Sequence, residues 1–508
     1  MTEYLSPGVY VEEKSSGVKP IEGVGTSTGA FVGIAEKGPV GQANFIANWT
    51  QFVNTYGAFT ANAFMAYAVY QFFSEGGTRC YVVRTCHYTD ITTPSTKTVA
   101  TSAGTLNDGA TPPVDSLKFT ATDMGTWGNK ISIEVKAATD ATLTGGFKLV
   151  VKFSGSEQES FDNLTMADVI AKVSSTYVTV EKVGATPNAP KTGSSVTLAG
   201  GNNGDSSITA VDFEGDAKAM NGLHAFDMYD DINIVLMPDS IKIGSGARDA
   251  IIKGYSYCQN RKDCFFIADP PFGCSPTTVR DYKEATGTWS GQNAFNSSFA
   301  ALYYPWVYMS DPLSQSGGKI AVPPSGAIAG TYAHTDSVRG VHKAPAGISD
   351  GYLDSVSGIE RIITKSEHDT LNPTGIDVIR SFPSSGIVVW GARTLSADAE
   401  WKYINIRRLF LFLEESIDKG TQWVVFEPNS PALWGSVIRN ITAFLLRVWR
   451  DGALFGSTPE EAFYVKVDAE NNPPEVRDAG QLIIEVGVAP VKPAEFVIIR
   501  IQQKTLTK

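Results

Sequence analysis

The chain has 508 residues, 43% of them hydrophobic and 19% charged, with 42 basic against 53 acidic side chains and a formal net charge of −11. That length exceeds what one hydrophobic core organises and implies two to four domains. The acidic balance argues against nonspecific binding to nucleic acid or to an anionic membrane surface, and no run reaches the ~18 apolar residues of a membrane span.

Met1-Thr2-Glu3-Tyr4 lacks the basic and apolar regions of a signal peptide, so synthesis in the cytoplasm is expected. Ser6 to Glu12 follows, with Val9, Tyr10 and Val11 at its centre, a β-type composition. A polar, glycine-rich stretch from Lys14 to Gly25 reads as a flexible tether. A lone strand on a tether has unpaired backbone groups along both edges and must add to a sheet, its own or another subunit's. Gly23 to Gly29 superficially resembles a dinucleotide loop, but its spacing is GxGxxxG and a strand rather than a helix follows, so a hinge is expected there.

Residues 26–90 read as α/β. Gly29 to Ile34 and Arg79 to Arg84 are strands, Asn48 caps a helix, and Ala61 to Glu75 is a second helix closed by Gly76-Gly77. From about Thr89 to Asn203 the chain turns rich in Thr, Ser, Gly and Val, and Ile131 to Val135 alternates. This reads as a mostly antiparallel β domain inserted into the α/β part. From Asp205 to about Arg393 apolar strands (Ile232–Met237, Cys264–Ala268, Ile387–Trp390) alternate with helices such as Ala247 to Asn260, the pattern of a sheet covered on both faces.

From about Leu395 the chain reads as α+β. Helices are predicted over Asp398–Lys419 and Pro431–Asp451, and strands over Thr421–Phe426, Phe463–Val467 and Leu482–Val488. Thr458-Pro459-Glu460-Glu461 has the pattern of a capping box. A final β-type run spans Glu495 to Ile501, with Phe496, Val497, Ile498 and Ile499 at its centre. The predicted fold class is therefore multidomain, α/β and α+β. It has an α/β core (26–90 and 204–394), an inserted β-rich domain (91–203), a C-terminal α+β domain (395–508) and an N-terminal arm and tether (1–25). The N- and C-terminal arms are extended β segments.

No Walker A, HExxH or GxSxG sequence is present, and no acidic pair can be assigned to a cleft, so no catalytic residue, cofactor site or metal site is predicted. Cys80, Cys86, Cys258, Cys264 and Cys274 are odd in number and loosely spaced, as expected of reduced, buried thiols. On the Pro431–Asp451 helix, Val437, Ile438, Ile441, Phe444, Leu445 and Val448 fall within ~80° of Trp434, whereas Arg439, Arg447 and Arg450 lie on the opposite side at ~140–220°. That stripe reads either as a solvated face or as a docking surface for an acidic partner.

Several stretches carry a resemblance. They are Leu5-Ser6-Pro7-Gly8-Val9-Tyr10-Val11-Glu12-Glu13, Trp127-Gly128-Asn129-Lys130-Ile131, Val322-Pro323-Pro324-Ser325-Gly326-Ala327-Ile328-Ala329-Gly330, Asp336 through Ala346, Trp390 through Leu395, and Ile404-Asn405-Ile406-Arg407-Arg408. In this order they resemble the sheath proteins of contractile phage tails and of related bacterial contractile injection systems. The resemblance implies a structural, non-enzymatic subunit. It would polymerise around an inner tube and contract to drive that tube through a target envelope. Baseplate and terminal cap proteins would be further partners, and assembly would take place in the bacterial cytoplasm. It also implies that the two arms complete sheets in neighbouring C-terminal domains. The 91–203 insert would lie outermost, and the helix carrying Arg439, Arg447 and Arg450 would hold the tube. The pattern leans toward a phage-tail-like injection system, with the sheath of a contractile-tailed phage as the alternative.

Overall fold

The computed structural model describes residues 20–61, 63–185 and 187–499. They form two compact units. One comprises residues 26–339 and 344–404; the other comprises residues 340–343, those from 405 onward and the segment before residue 26. The chain is a multidomain fold mixing helices and sheets.

The larger unit opens with β1 (Gly29–Gly33), β2 (Ala43–Ile46) and β3 (Cys80–Arg84). A β-rich segment follows with β4 (Ala103–Asn107), β5 (Asp115–Ala121), β6 (Ile131–Ala137), β7 (Phe147–Phe153), β8 (Ser156–Leu164), β9 (Val178–Lys182) and β10 (Ser195–Thr197). Then come β11 (Ile234–Leu236), β12 (Phe265–Ala268), β13 (Ala300–Tyr304), β14 (Val307–Ser310), β15 (Lys319–Val322), β16 (Gly358–Ile359), β17 (Ile376–Phe382) and β18 (Gly386–Val389). An eight-stranded sheet runs β18-β17-β13-β12-β11-β1-β3-β2. Its six central strands are parallel, and only the outer pairs β17–β18 and β2–β3 are antiparallel. Every residue of β1, β3, β11, β12 and β13 is buried, which is why these strands are continuous apolar runs rather than alternating ones.

Two helices on this sheet, Met65–Ser74 and Ser325–Arg339, approach very closely. A Cβ at Gly326 would lie 2.4 Å from Ala68 Cα, and one at Gly330 would lie 2.7 Å from the Phe72 carbonyl oxygen. Buried carboxylates fix the starts of both helices. Asp239 accepts from the backbone N–H groups of Ile34 (2.8 Å), Phe64 (2.5 Å) and Met65 (3.2 Å), and Asp269 accepts from that of Ser325 (2.9 Å). Burial raises both carboxyls, Asp269 to about 7.

The strands β4 to β10 pair antiparallel throughout, as β10-β6-β7-β8 and β4-β5-β9. Ile131, Ile133 and Val135 point into their shared core with Leu117, Phe119 and Trp127. A polar joint ties this segment to the large sheet. The fully buried Arg84 donates to the carbonyls of Gly38 (2.9 Å) and Met124 (2.7 Å) and to Asn203 Oδ1 (3.3 Å). Lys130 pairs with Glu36 beside it. Burial lowers the Arg84 guanidinium to about 10, against the opposing pull of charges that include Asp123 and Asp205.

In the smaller unit, helices Ile404–Thr421 and Pro431–Arg450 share an apolar core with a two-stranded antiparallel sheet, β19 (Phe463–Lys466) and β20 (Glu485–Val488). Four readings from sequence are corrected here. The first helix starts at Ile404 rather than Asp398, because residues 394–402 close a loop in which Thr394 N–H donates to the Lys402 carbonyl (2.9 Å) and its hydroxyl to that of Trp401 (2.6 Å). Thr421–Phe426 is not a strand; Gln422–Val424 form a 3-10 turn, and no strand among the described residues pairs with it. The strand expected from Leu482 begins only at Glu485, because the Asn472 amide takes both backbone groups of Ile483 (2.6 and 2.9 Å). The predicted box at Thr458 does not form as such: Glu461 instead accepts from Ser457 N–H (2.8 Å). All five cysteines are free and buried.

Candidate assembly surfaces

Of the residues singled out by sequence, Arg439, Arg447, Arg450 and Phe496–Ile499 lie in the smaller unit. Its Pro431–Arg450 helix starts where Ser430 accepts from Leu433 N–H (3.5 Å) and proline fills the first position. Leu433, Trp434, Val437, Ile441, Phe444, Leu445 and Val448 face the core. Arg439, Arg447 and Arg450 are exposed. Arg439 donates to Ser436 Oγ (2.8 Å), while Arg447 donates to the backbone carbonyl of Ile21. Asn440, only 2% exposed, has a side-chain amide with no hydrogen-bond partner among the described residues.

The Arg447 contact was not legible in sequence, and it changes the reading of the tether. Residues 21–24 are held rather than swinging free. Ile21 is buried against Gly420, where a Cβ would come within 2.6 Å of its side chain. Gly23 lies against the Phe412 ring at a distance that leaves no room for a Cβ, and Val24 N–H donates to Ser416 Oγ (3.1 Å). Gly23, one of the glycines that suggested a hinge, thus permits close packing on a helix. Val9, Tyr10 and Val11 lie outside the described residues.

At the other arm, the chain leaves β20 along a short ladder. Ala489 N–H donates to Ala462 (2.8 Å), Phe455 N–H to Ala489 (2.7 Å) and Val491 N–H to Ala453 (3.1 Å). Beyond it, Phe496, Val497, Ile498 and Ile499 are 71–80% exposed, in no strand, and without backbone partners among the described residues. No third strand among the described residues pairs with β19 or β20. No group of three metal-ligating side chains occurs among the described residues, and no described helix is long and apolar enough to cross a membrane.

Two family models match consecutive parts of the chain: the phage tail sheath protein central domain over residues 215–395 and the phage tail sheath C-terminal domain over 396–504. Together they cover more than half of it, and the chain belongs to the contractile tail sheath family. Among curated proteins it is 26% identical over 251 residues to the tail sheath protein of Vibrio phage KVP40, covering 47% of this chain and 36% of that protein. It is 25% identical over 371 residues to that of Enterobacteria phage T4, covering 69% and 52% respectively. The chain thus matches between about a third and about half of these relatives' length. Among solved structures, the PVC sheath complex of an extracellular contractile injection system, in its contracted state, aligns over 99% of both chains with a TM-score of 0.59 at 22% identity.

Proposed function

We propose that this chain is the repeating, non-catalytic subunit of a contractile sheath. It polymerises around an inner tube and contracts to drive that tube through a target envelope, in a phage-tail-like bacterial injection particle. The observation that carries the proposal is the exposed Phe496–Ile499 run in a unit whose own sheet has only two strands. Two strands alone are marginal in water, and an apolar extended segment with unpaired backbone calls for a sheet to join. The near-complete alignment with an injection-system sheath favours that particle. The curated phage sheaths favour a second reading, a tail sheath of a contractile-tailed phage.

In this reading β4 to β10 form the outer domain, the core sheet lies between, and the unit carrying β19 and β20 faces the tube through Arg439, Arg447 and Arg450. Baseplate and cap proteins close the two ends, and assembly takes place in the cytoplasm. Val9–Val11 and Phe496–Ile499 add to neighbours' β19–β20 sheets. Between Val11 and the anchored Ile21 the chain spans at most ~33 Å, enough to reach an adjacent subunit.

Electron microscopy of the purified chain with and without residues 1–14 tests this. Hollow cylinders from the full chain alone, with folded subunits from both, are expected; cylinders of normal length from the truncated chain would refute the arm linkage.

A further inference from the structure

The segment joining the two long helices of the smaller unit has a form that neither helix requires. Thr421 ends the first helix, its hydroxyl donating to the Ile417 carbonyl (2.7 Å). After it, Trp423 and Val424 pack onto the unit's core. Val425 and Phe426 do the opposite: Val425 is 59% exposed and Phe426 is fully exposed. Phe426 also has φ 68°, a left-handed conformation that bulky side chains rarely adopt. Asn429 then fixes the far side of the loop, its Nδ2 donating to the Gln481 carbonyl (2.9 Å) and its Oδ1 accepting from Trp434 Nε1 (2.7 Å). The phenylalanine is therefore presented to solvent on a loop held at both feet.

A large aromatic ring on a fixed loop suits an interface anchor. It offers ~150–250 Å² of apolar surface and little freedom is left to lose on binding. Its surroundings define the partner. Five residues beyond Phe426 the Pro431–Arg450 helix begins, and on its exposed side Ala432, Arg439, Ala443 and Arg450 follow one another. By helical geometry they lie within ~40° of a common direction. The helix contains no acidic residue. A matching surface has an apolar pocket at one end and carboxylates along the stretch that meets Arg439 and Arg450.

We propose that Phe426, supported by Val425, is the hot-spot anchor by which this unit docks on a protein surface offering an apolar pocket bordered by carboxylates. This rests on the reading above, in which that partner is the inner tube. Residues of this kind dominate interface energetics, whereas exposed arginine contacts contribute little individually.

The test uses the full chain co-expressed with the inner-tube protein of the same particle. Phe426→Gly removes the ring and relieves the left-handed strain, so the subunit's Tm should hold or rise. Arg439→Glu/Arg450→Glu is the companion variant. Tube protein recovered with Phe426→Gly sheaths is expected to fall at least tenfold while sheath formation continues. Wild-type recovery with Phe426→Gly but loss with the arginine pair overturns the anchor and leaves the helix reading standing. Full recovery with both variants overturns the helix reading and the anchor with it. Folded Phe426→Gly subunits that no longer polymerise even without tube protein would place the ring against a second copy of this chain, and that too overturns the proposal.

Discussion

The two main sheets of this chain treat their edges in opposite ways. Both edges of the eight-stranded sheet are closed from within its own unit. Along β2, the Gln51 side chain donates to the Phe45 carbonyl (3.2 Å) and accepts from Ala47 N–H (2.9 Å), while Tyr229 Oη donates to the Ala43 carbonyl (3.3 Å). Along β18, residues 347–353 run alongside: Leu353 N–H donates to Ile387 (3.0 Å), Gly347 N–H to Val389 (2.9 Å) and Val389 N–H to Gly351 (2.7 Å). The β19–β20 sheet has no comparable third strand among the described residues, and the apolar run 496–499 stands exposed in the same unit. Exposed strand edges template pairing with other chains. The larger sheet needs no further strand, whereas the β19–β20 sheet has room to accept one.

That contrast can be broken most severely in the core. Gly326→Leu would drive a side chain into the Ala68 backbone and should cost about 3 kcal/mol or more, read as a fall in the urea midpoint, with assembly lost only because folding is lost. A smaller effect separates the two regions by pH. Burial holds Asp269 at about 7 against 3.8 for the free group, so the folded chain binds this proton more tightly than the unfolded one. The stabilisation is full below the unfolded value and is lost as pH rises through the folded one, a decline of about 2 kcal/mol between pH 5 and 7. Asp269→Asn should flatten that part of the stability profile measured by denaturant titration. The smallest change sharpens the comparison directly. Gln51→Ala frees the Phe45 carbonyl on β2 at a cost of about 1 kcal/mol. In the chain lacking residues 1–14, expected to remain as separate subunits, it should produce lateral, concentration-dependent association in light scattering; a variant as monomeric as that parent would show that the side-chain cover is incidental.

Local signals were legible where short-range chemistry decides the structure. Asn48 caps its helix by accepting from Gln51 N–H (2.9 Å), Ser430-Pro431 opens the arginine helix, and the alternation of Ile131, Ile133 and Val135 marks their buried face. Arg439, Arg447 and Arg450 fall on the exposed side because helical periodicity alone places them there. Long-range contacts were not legible. Thr421–Phe426 has strand composition but no strand neighbour among the described residues, and a turn stands in its place. The anchoring of residues 21–24 depends on Gly420, Ser416 and Arg447, some four hundred residues away, and nothing in a polar, glycine-rich stretch announces it. The cover over β18 likewise comes from a loop whose sequence carries no strand pattern.

The anchored tether also sets a load path. A pull on the chain before Pro20 reaches Ile21–Val24 first, where the buried Ile21 side chain and the Val24–Ser416 bond pass the force into the Ile404–Thr421 helix and the Arg447 contact passes it into the Pro431–Arg450 helix. The tension is thereby taken up before it arrives at β1, which begins only at Gly29. Repeated tugging on the chain at this point would strain the smaller unit and spare the parallel sheet.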